Sequence, residues 1–289
     1  MVSWNWNRFY KNILLGLQKC PFVLVFIILL WGNCPSQAAE LMDPIHIIEK
    51  KQFTLGLEFA YLFEIQYDDT TADATRHFND GSTQDYQYAV TNLTLKEDQY
   101  YFLTLNYGLL DRLSLFVKAG VVTGGKKTSG SNPDRYYNMD TNFTWALGGK
   151  FKLLESENGG SLVLSAQYLR YDNRGQERAW VSAWNTNYEL DQWRIDAQLV
   201  GAWQFGSFTP YAGVKYSHVN LNLSGTSAGT SGGVYRVTHS EYTSNNEIKW
   251  GMLAGLAWDI TPTWRLVGQG DFIVDTTASL SLVYQFPTH

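Results

Sequence analysis

Five histidines and a scatter of carboxylates are the residues of this chain best suited to chemistry. Asp68-Asp69 and Asp73 precede His77, Ser217 adjoins His218, and His239-Ser240-Glu241 sets a base, a hydroxyl and an acid side by side. A carboxylate near a histidine can activate water for hydrolysis, and a serine held against a histidine and an acid can attack an ester. Both chemistries need hydrogen-bond reach in space, which adjacency in sequence does not supply. Metal binding has no support, because His46, His77, His218, His239 and His289 show no ligand spacing. What these groups can do depends on the elements that carry them.

The elements begin after a leader. Arg8, Lys11 and Lys19 precede the apolar run Phe22 to Trp31, and small residues Ser36 and Ala38 follow. That is the layout of a secretory signal cleaved after Ala38. The run has ten residues, well short of the roughly 20 that a spanning helix needs. Both cysteines, Cys20 and Cys34, lie within the leader, so the exported chain is expected to carry no thiol. It would keep 19 Lys+Arg against 27 Asp+Glu, a formal charge of −8 compared with −5 for the whole sequence. An acidic surface argues against nucleic acid as a partner.

Composition then points to β structure. Charged residues make up 17%, below the roughly 25% usual in soluble domains. Aromatics reach 15% while the mean hydropathy is only −0.23. Period two recurs along the chain, and no sustained helical period appears. Phe53, Leu55, Leu57, Phe59, Tyr61, Phe63 and Ile65 alternate with smaller or polar residues, as do Tyr101 to Leu109 and Leu113 to Val121. Similar runs lie near 143–153, 162–168, 193–205, 208–216, 248–258, 264–272 and 278–286, which makes ten strands. A tilted strand crosses a bilayer in about 9–11 residues, so the lengths fit.

The connections alternate too. Those at 110–112, 155–160, 206–207 and 260–262 are short, while 67–98, 123–141, 173–190 and 223–245 are long and polar. Short turns on one side and long loops on the other match an all-β, transmembrane, antiparallel up-and-down barrel. The expected division is a signal peptide over 1–38, a short periplasmic segment over 39–52 and the barrel over 53–286. Tyr100, Tyr101, Trp145, Trp193, Tyr216 and Trp250 are expected near the outer strand ends. Phe53, Tyr107, Phe205, Phe208, Trp258, Trp264, Tyr284 and Phe286 are expected near the inner ends, giving two ring belts.

If the apolar set faces lipid, the alternate set faces the lumen. The acids there are Glu58, Glu64, Asp196, Asp259 and Asp271, and the bases are Lys118, Lys150, Lys152, Arg194, Lys215, Lys249 and Arg265. Such a network either plugs a narrow barrel with salt bridges or lines a charged pore. Ten strands lie near the closed limit, since eight leave room only for side chains. Among the loops, Tyr136, Tyr137, Trp180 and Trp184 are candidate contacts for an extracellular ligand or anchors on the barrel rim.

The stretches "YGLLDRLSL" (107–115), "WDITPTWRL" (258–266) and the closing strand "ASLSLVYQF" (278–286) resemble bacterial outer-membrane β-barrel proteins of the small opacity and omptin-like size class. The resemblance implies an outer-membrane location and no cofactor. The implied partners are outer-membrane lipid, lipopolysaccharide and the barrel-assembly machinery. The leading expectation is a non-enzymatic barrel with a structural or surface-interaction role. The alternatives are a narrow passive pore for small solutes and an omptin-like or lipid-modifying rim hydrolase. The Asp68 to His77 stretch, His218 and His239 sit in no recognisable omptin motif.

Overall fold

The structure, a computed structural model, describes residues 43–128, 136–177, 185–231, 233–273 and 275–287. The expected signal peptide lies outside these residues. The described chain forms fourteen strands: β1 (Phe53–Gln66), β2 (Thr70–Phe78), β3 (Thr83–Val90), β4 (Thr94–Leu110), β5 (Leu113–Thr128), β6 (Tyr136–Met139), β7 (Asn142–Glu155), β8 (Gly160–Glu177), β9 (Asn185–Trp203), β10 (Phe208–Ser231), β11 (Val234–Asn245), β12 (Trp250–Asp259), β13 (Trp264–Phe272) and β14 (Thr276–Gln285). Ten of them close a ring, β1-β4-β5-β7-β8-β9-β10-β12-β13-β14, each antiparallel to the next, with β14 returning to β1. The barrel expected from the alternation is therefore the observed fold.

Its polarity is inverted relative to a soluble protein. In β1, Phe53, Leu55, Leu57 and Phe59 are exposed while Thr54, Glu58 and Ala60 are buried. Val117 and Leu147 are likewise half exposed or more, and Lys118 and Ala146 beside them are not. Aromatic rings flank this apolar band. Toward the inner end, Phe53 meets Tyr107 at 4.7 Å between ring centroids, Trp264 meets Tyr284 at 4.9 Å, and Phe208 stacks on Trp258 at 5.8 Å. Toward the outer end, Trp145, Tyr168, Trp193 and His218 form a continuous run of rings across β7 to β10, and Tyr216 meets Trp250. From Trp193 to Trp203 along tilted β9 the band is roughly 25 Å tall, the height of the apolar band on a membrane barrel.

Three expectations need correction. The long connections are largely strand rather than loop. β2 and β3 form a hairpin within 67–98, β11 lies within 223–245, and β10 runs for 24 residues, well past the band. These stretches are rich in Ser, Thr and Gly because water, not lipid, bathes their outer face, so hydropathy alternation could not mark them. Second, the faces of β1 exchange near Phe63. The register against β14 shifts between Leu62 and Glu64, and Glu97 opposite adopts φ 63°. Ile65 consequently turns into the lumen and Glu64 turns away from it. A bulge does this because one extra residue reverses every side chain beyond it. Third, Tyr100 is buried in the lumen instead of joining the outer belt.

The segment ahead of β1 folds into the barrel mouth at the end that carries the short turns. Lys51 N–H donates to the Gly108 carbonyl at 2.7 Å, and Gly108 N–H donates to the Gln52 carbonyl at 3.0 Å. This close approach requires glycine, because a Cβ at 108 would sit 1.9 Å from the Glu49 carbonyl oxygen. Ile45, Ile47 and Ile48 are buried there.

Candidate functional site

The lumen is the place where this fold gathers chemistry-bearing side chains, and it is filled in three layers. At the inner end, Ile45 packs with Val200, Ala202, Tyr211, Leu253, Ala257 and Val267 from the opposite wall. Asp43 completes this cork. Its carbonyl accepts from Lys150 Nζ at 2.8 Å, and its carboxylate lies 3.3 Å from Arg265, which also meets Asp259 at 2.9 Å. His46 Nδ1 stands 3.7 Å from the Asp43 carboxylate. Burial pushes the His46 imidazole down to about 4, against the pull of Asp43, and Arg265 and Lys150 push the same way. The Asp43 carboxyl is held below its ordinary value: burial alone would raise it, but Arg265, His46 and Lys150 outweigh that.

The middle layer is ionic. Lys118 Nζ lies 2.6 Å from Glu58 Oε2, and neither side chain is exposed. Arg194 Nε bonds both oxygens of Asp196 at 2.7 and 2.8 Å and its terminal nitrogen reaches Asp275. Lys215 contacts Asp271 and stands 3.5 Å from Asp275. Gln167 donates to Asp196 and Gln269 donates to Asp271, each at 2.9 Å. The outer layer is mostly apolar again, with Asp98, Gln192 and Lys127 buried among its side chains. Leu62, Ile65, Leu93, Leu95, Phe102, Val122, Leu169, Leu190, Val219 and Leu221 form one buried cluster spanning the barrel, with Tyr67, Tyr100 and Tyr171 among them. Largely apolar packing above and below lowers the polarity around the ion pairs between, so each charge depends on its partner.

The twelve expected lumen charges divide accordingly. Glu58, Lys118, Lys150, Arg194, Asp196, Lys215 and Asp271 are buried inside, and Arg265 and Asp259 hold the inner mouth. Glu64 lies outside the network, paired with Lys96 at 2.7 Å on the far side of the bulge. Lys152 pairs with Glu155 on the inner rim at 3.0 Å, and half-buried Lys249 joins none of these ion pairs. Asp43, Asp98 and Asp275 are buried lumen acids that alternation did not mark. Asp275 sits in the short connection between β13 and β14, and that shortness is the signal that it lies within reach of the lumen.

Of the possible hydrolytic groups, Asp73, His239, Ser240 and Glu241 line one shallow outward depression, but no hydrogen bond or ion pair joins them to one another. Ser217 points into the lumen and His218 packs edge-on against Trp193 in the outer belt, on opposite faces of β10. Asp73 and His77 are four residues apart on extended β2, about 13 Å. His77 meets the His239 ring at 5.6 Å, and His239 Nδ1 pairs with Thr226 Oγ1 at 2.9 Å. Among the described residues none of these three histidines is hydrogen-bonded or ion-paired to a serine or a carboxylate. The backbones of Tyr136 and Tyr137 pair with β5 through β6, while Trp180 and Trp184 lie outside the described residues.

A closed ring without a free edge, an apolar band between ring belts and a polar lumen together satisfy the demands of a bilayer. The chain folds as a transmembrane β-barrel. No protein-family model matches it, and no curated protein matches it significantly in sequence. Its fold is similar to the outer membrane protein OprG from Pseudomonas aeruginosa, with a TM-score of 0.48 and 11% identity, covering 84% of this chain and 99% of that one. It is also similar to the outer membrane protease OmpT from Escherichia coli, with a TM-score of 0.46 and 11% identity over 86% and 99% of the two chains. An outer membrane channel from Pseudomonas putida F1 follows at 0.39 and 12%, over 86% and 100%.

Proposed function

We propose that this barrel is non-conducting and non-enzymatic, and that it works as a surface-interaction protein through the part that rises beyond the membrane. The observation that carries the reading is the filled lumen. Two largely apolar layers, centred on Ile45 and on Leu221, bracket a layer of paired charges. A solute crossing it would have to displace buried aliphatic side chains and part ion pairs held in a buried interior. What remains accessible outside is a β extension built from β2, β3, β6, β11 and the outer ends of β8, β9 and β10. The separation of Ser217 from His218 and of Asp73 from His77 speaks against the rim hydrolase. Planar-bilayer recording on the refolded protein tests the reading. Silence at potentials that open porins supports it, and long-lived unitary currents would replace it with a passive pore.

A further inference from the structure

β3 ends the sheet path: it pairs with β2 along its whole length and, among the described residues, with nothing on its other side. The phase of the ladder identifies what the open side offers. Phe78 N–H donates to the Ser82 carbonyl at 3.0 Å. Antiparallel alternation then turns Gln84, Tyr86 and Tyr88 toward β2, and leaves the N–H and C=O of Asp85, Gln87 and Ala89 pointing outward. Natural sheets protect such edges with lysine, proline, a bulge or a covering element. The sequence from Thr83 to Val90 contains neither lysine nor proline, its register with β2 is unbroken, and only Val90 is buried.

The edge is also held ready. Asp80 accepts from Ser82 N–H at 2.9 Å and from its hydroxyl at 2.6 Å, fixing the hairpin turn, in which Gly81 adopts φ 82°. Thr75 donates to Asp85, and Gln87 donates to Asp73, both at 2.7 Å. On the other face Arg76 covers the Tyr86 ring at 4.6 Å. A strand already extended loses little further freedom when a partner pairs with it. Register places Asp73, Asp85 and Glu241 on one outward face, around a shallow depression of about 570 Å³, while Arg76 is turned to the opposite face.

We propose that β3 is a docking edge for an extended basic segment of another protein. The segment would add as a further strand, with Lys or Arg side chains over the carboxylate of Asp85 and reaching toward that of Asp73 one strand further in. Main-chain bonds supply the affinity of such an addition and side-chain alternation supplies its specificity. A second copy of this chain fits poorly, because its own β3 would bring another acidic face. The inference rests on the surface-interaction reading and deepens it.

The test uses the full refolded chain in zwitterionic micelles and fluorescence anisotropy with three octapeptides. These are alternating Lys-Val, the same peptide N-methylated at alternate residues, and alternating Glu-Val. Binding of the first, weakened at least tenfold by N-methylation and absent with Glu-Val, is the expected result. Ala89→Pro should cost a similar factor, since that N–H lies outside the β2 ladder and proline is tolerated on edges. Asp85→Asn with Asp73→Asn should weaken binding without abolishing the pairing. Equal affinity for the N-methylated peptide, or no binding at all, would overturn the proposal. Self-association abolished by Ala89→Pro would also overturn it, by assigning the edge to a second copy. Channel currents address the broader reading alone, so the two can fail separately.

Discussion

Lys118 and Glu58 meet across the width of β4, Nζ to Oε2 at 2.6 Å, with neither side chain touching solvent and the Phe102 ring 5.3 Å from the ammonium. The pair sits in a buried layer, with Lys150 the next charge to it. Removing one member strands the other, and breaking a buried pair costs about 3–5 kcal/mol. Lys118→Met should therefore lower the unfolding temperature clearly in heat-modifiable gel mobility. Lys118→Met combined with Glu58→Leu should recover most of the loss, because the desolvated carboxylate is then gone as well. A single variant as stable as wild type would mean that water reaches this layer.

The cork depends on one glycine. A methyl at position 108 would overlap the Glu49 carbonyl, which is backbone and cannot swing aside. Gly108→Ala should displace the segment around Glu49 to Gln52 and make Lys50 and Lys51 sensitive to trypsin in the detergent-solubilised protein. Conductance should stay absent, since the outer apolar layer is untouched. An unchanged tryptic pattern would show that the segment does not hold the mouth.

Acid should loosen the same cork. His46 is neutral in the folded barrel, with its proton affinity pushed down to about 4 from 6.5. Between those values the unfolded chain binds more protons, so stability falls as pH falls through that window. Asp43, held below its ordinary value, adds stability that is present above about pH 4 and is lost as pH drops further. Unfolding temperature measured from pH 7 to 4 should decline in wild type and decline less in His46→Gln. Parallel curves for the two proteins would remove His46 from the account.

Topology is directly measurable. The hairpin tip at Asn79 is exposed at the outer end, and the turn at Asp111-Arg112 lies at the inner end. With Cys20 and Cys34 replaced by serine, Asn79→Cys should react with a membrane-impermeant maleimide on intact cells. Asp111→Cys should react only after the outer membrane is permeabilised. The reverse pattern would invert the barrel.

Much of this architecture is written in short-range pattern. Phe53, Leu55, Leu57 and Phe59 alternating with Thr54, Gly56, Glu58 and Ala60 mark a strand with lipid on one side, and that information needs no knowledge of the partner strand. Ten such runs with alternating short and long connections determined the barrel, and Lys118, Glu58, Arg194 and Lys215 could be placed in the lumen by parity alone. Parity fails where the backbone departs from strict period two. The irregularity at Phe63 and Glu97 exchanged Glu64 for Ile65, and the residues themselves carry no mark of it. The β2–β3 hairpin and β11 face water, so they lack the contrast that makes a strand visible in sequence. Asp43 and Asp275 joined the charge network from outside any strand, and Ser217 and His218 parted although adjacent. Which charges pair, what corks the mouth and which edge stays open are contacts between distant segments. Only the closed tertiary structure brings those segments together, so only it decided them.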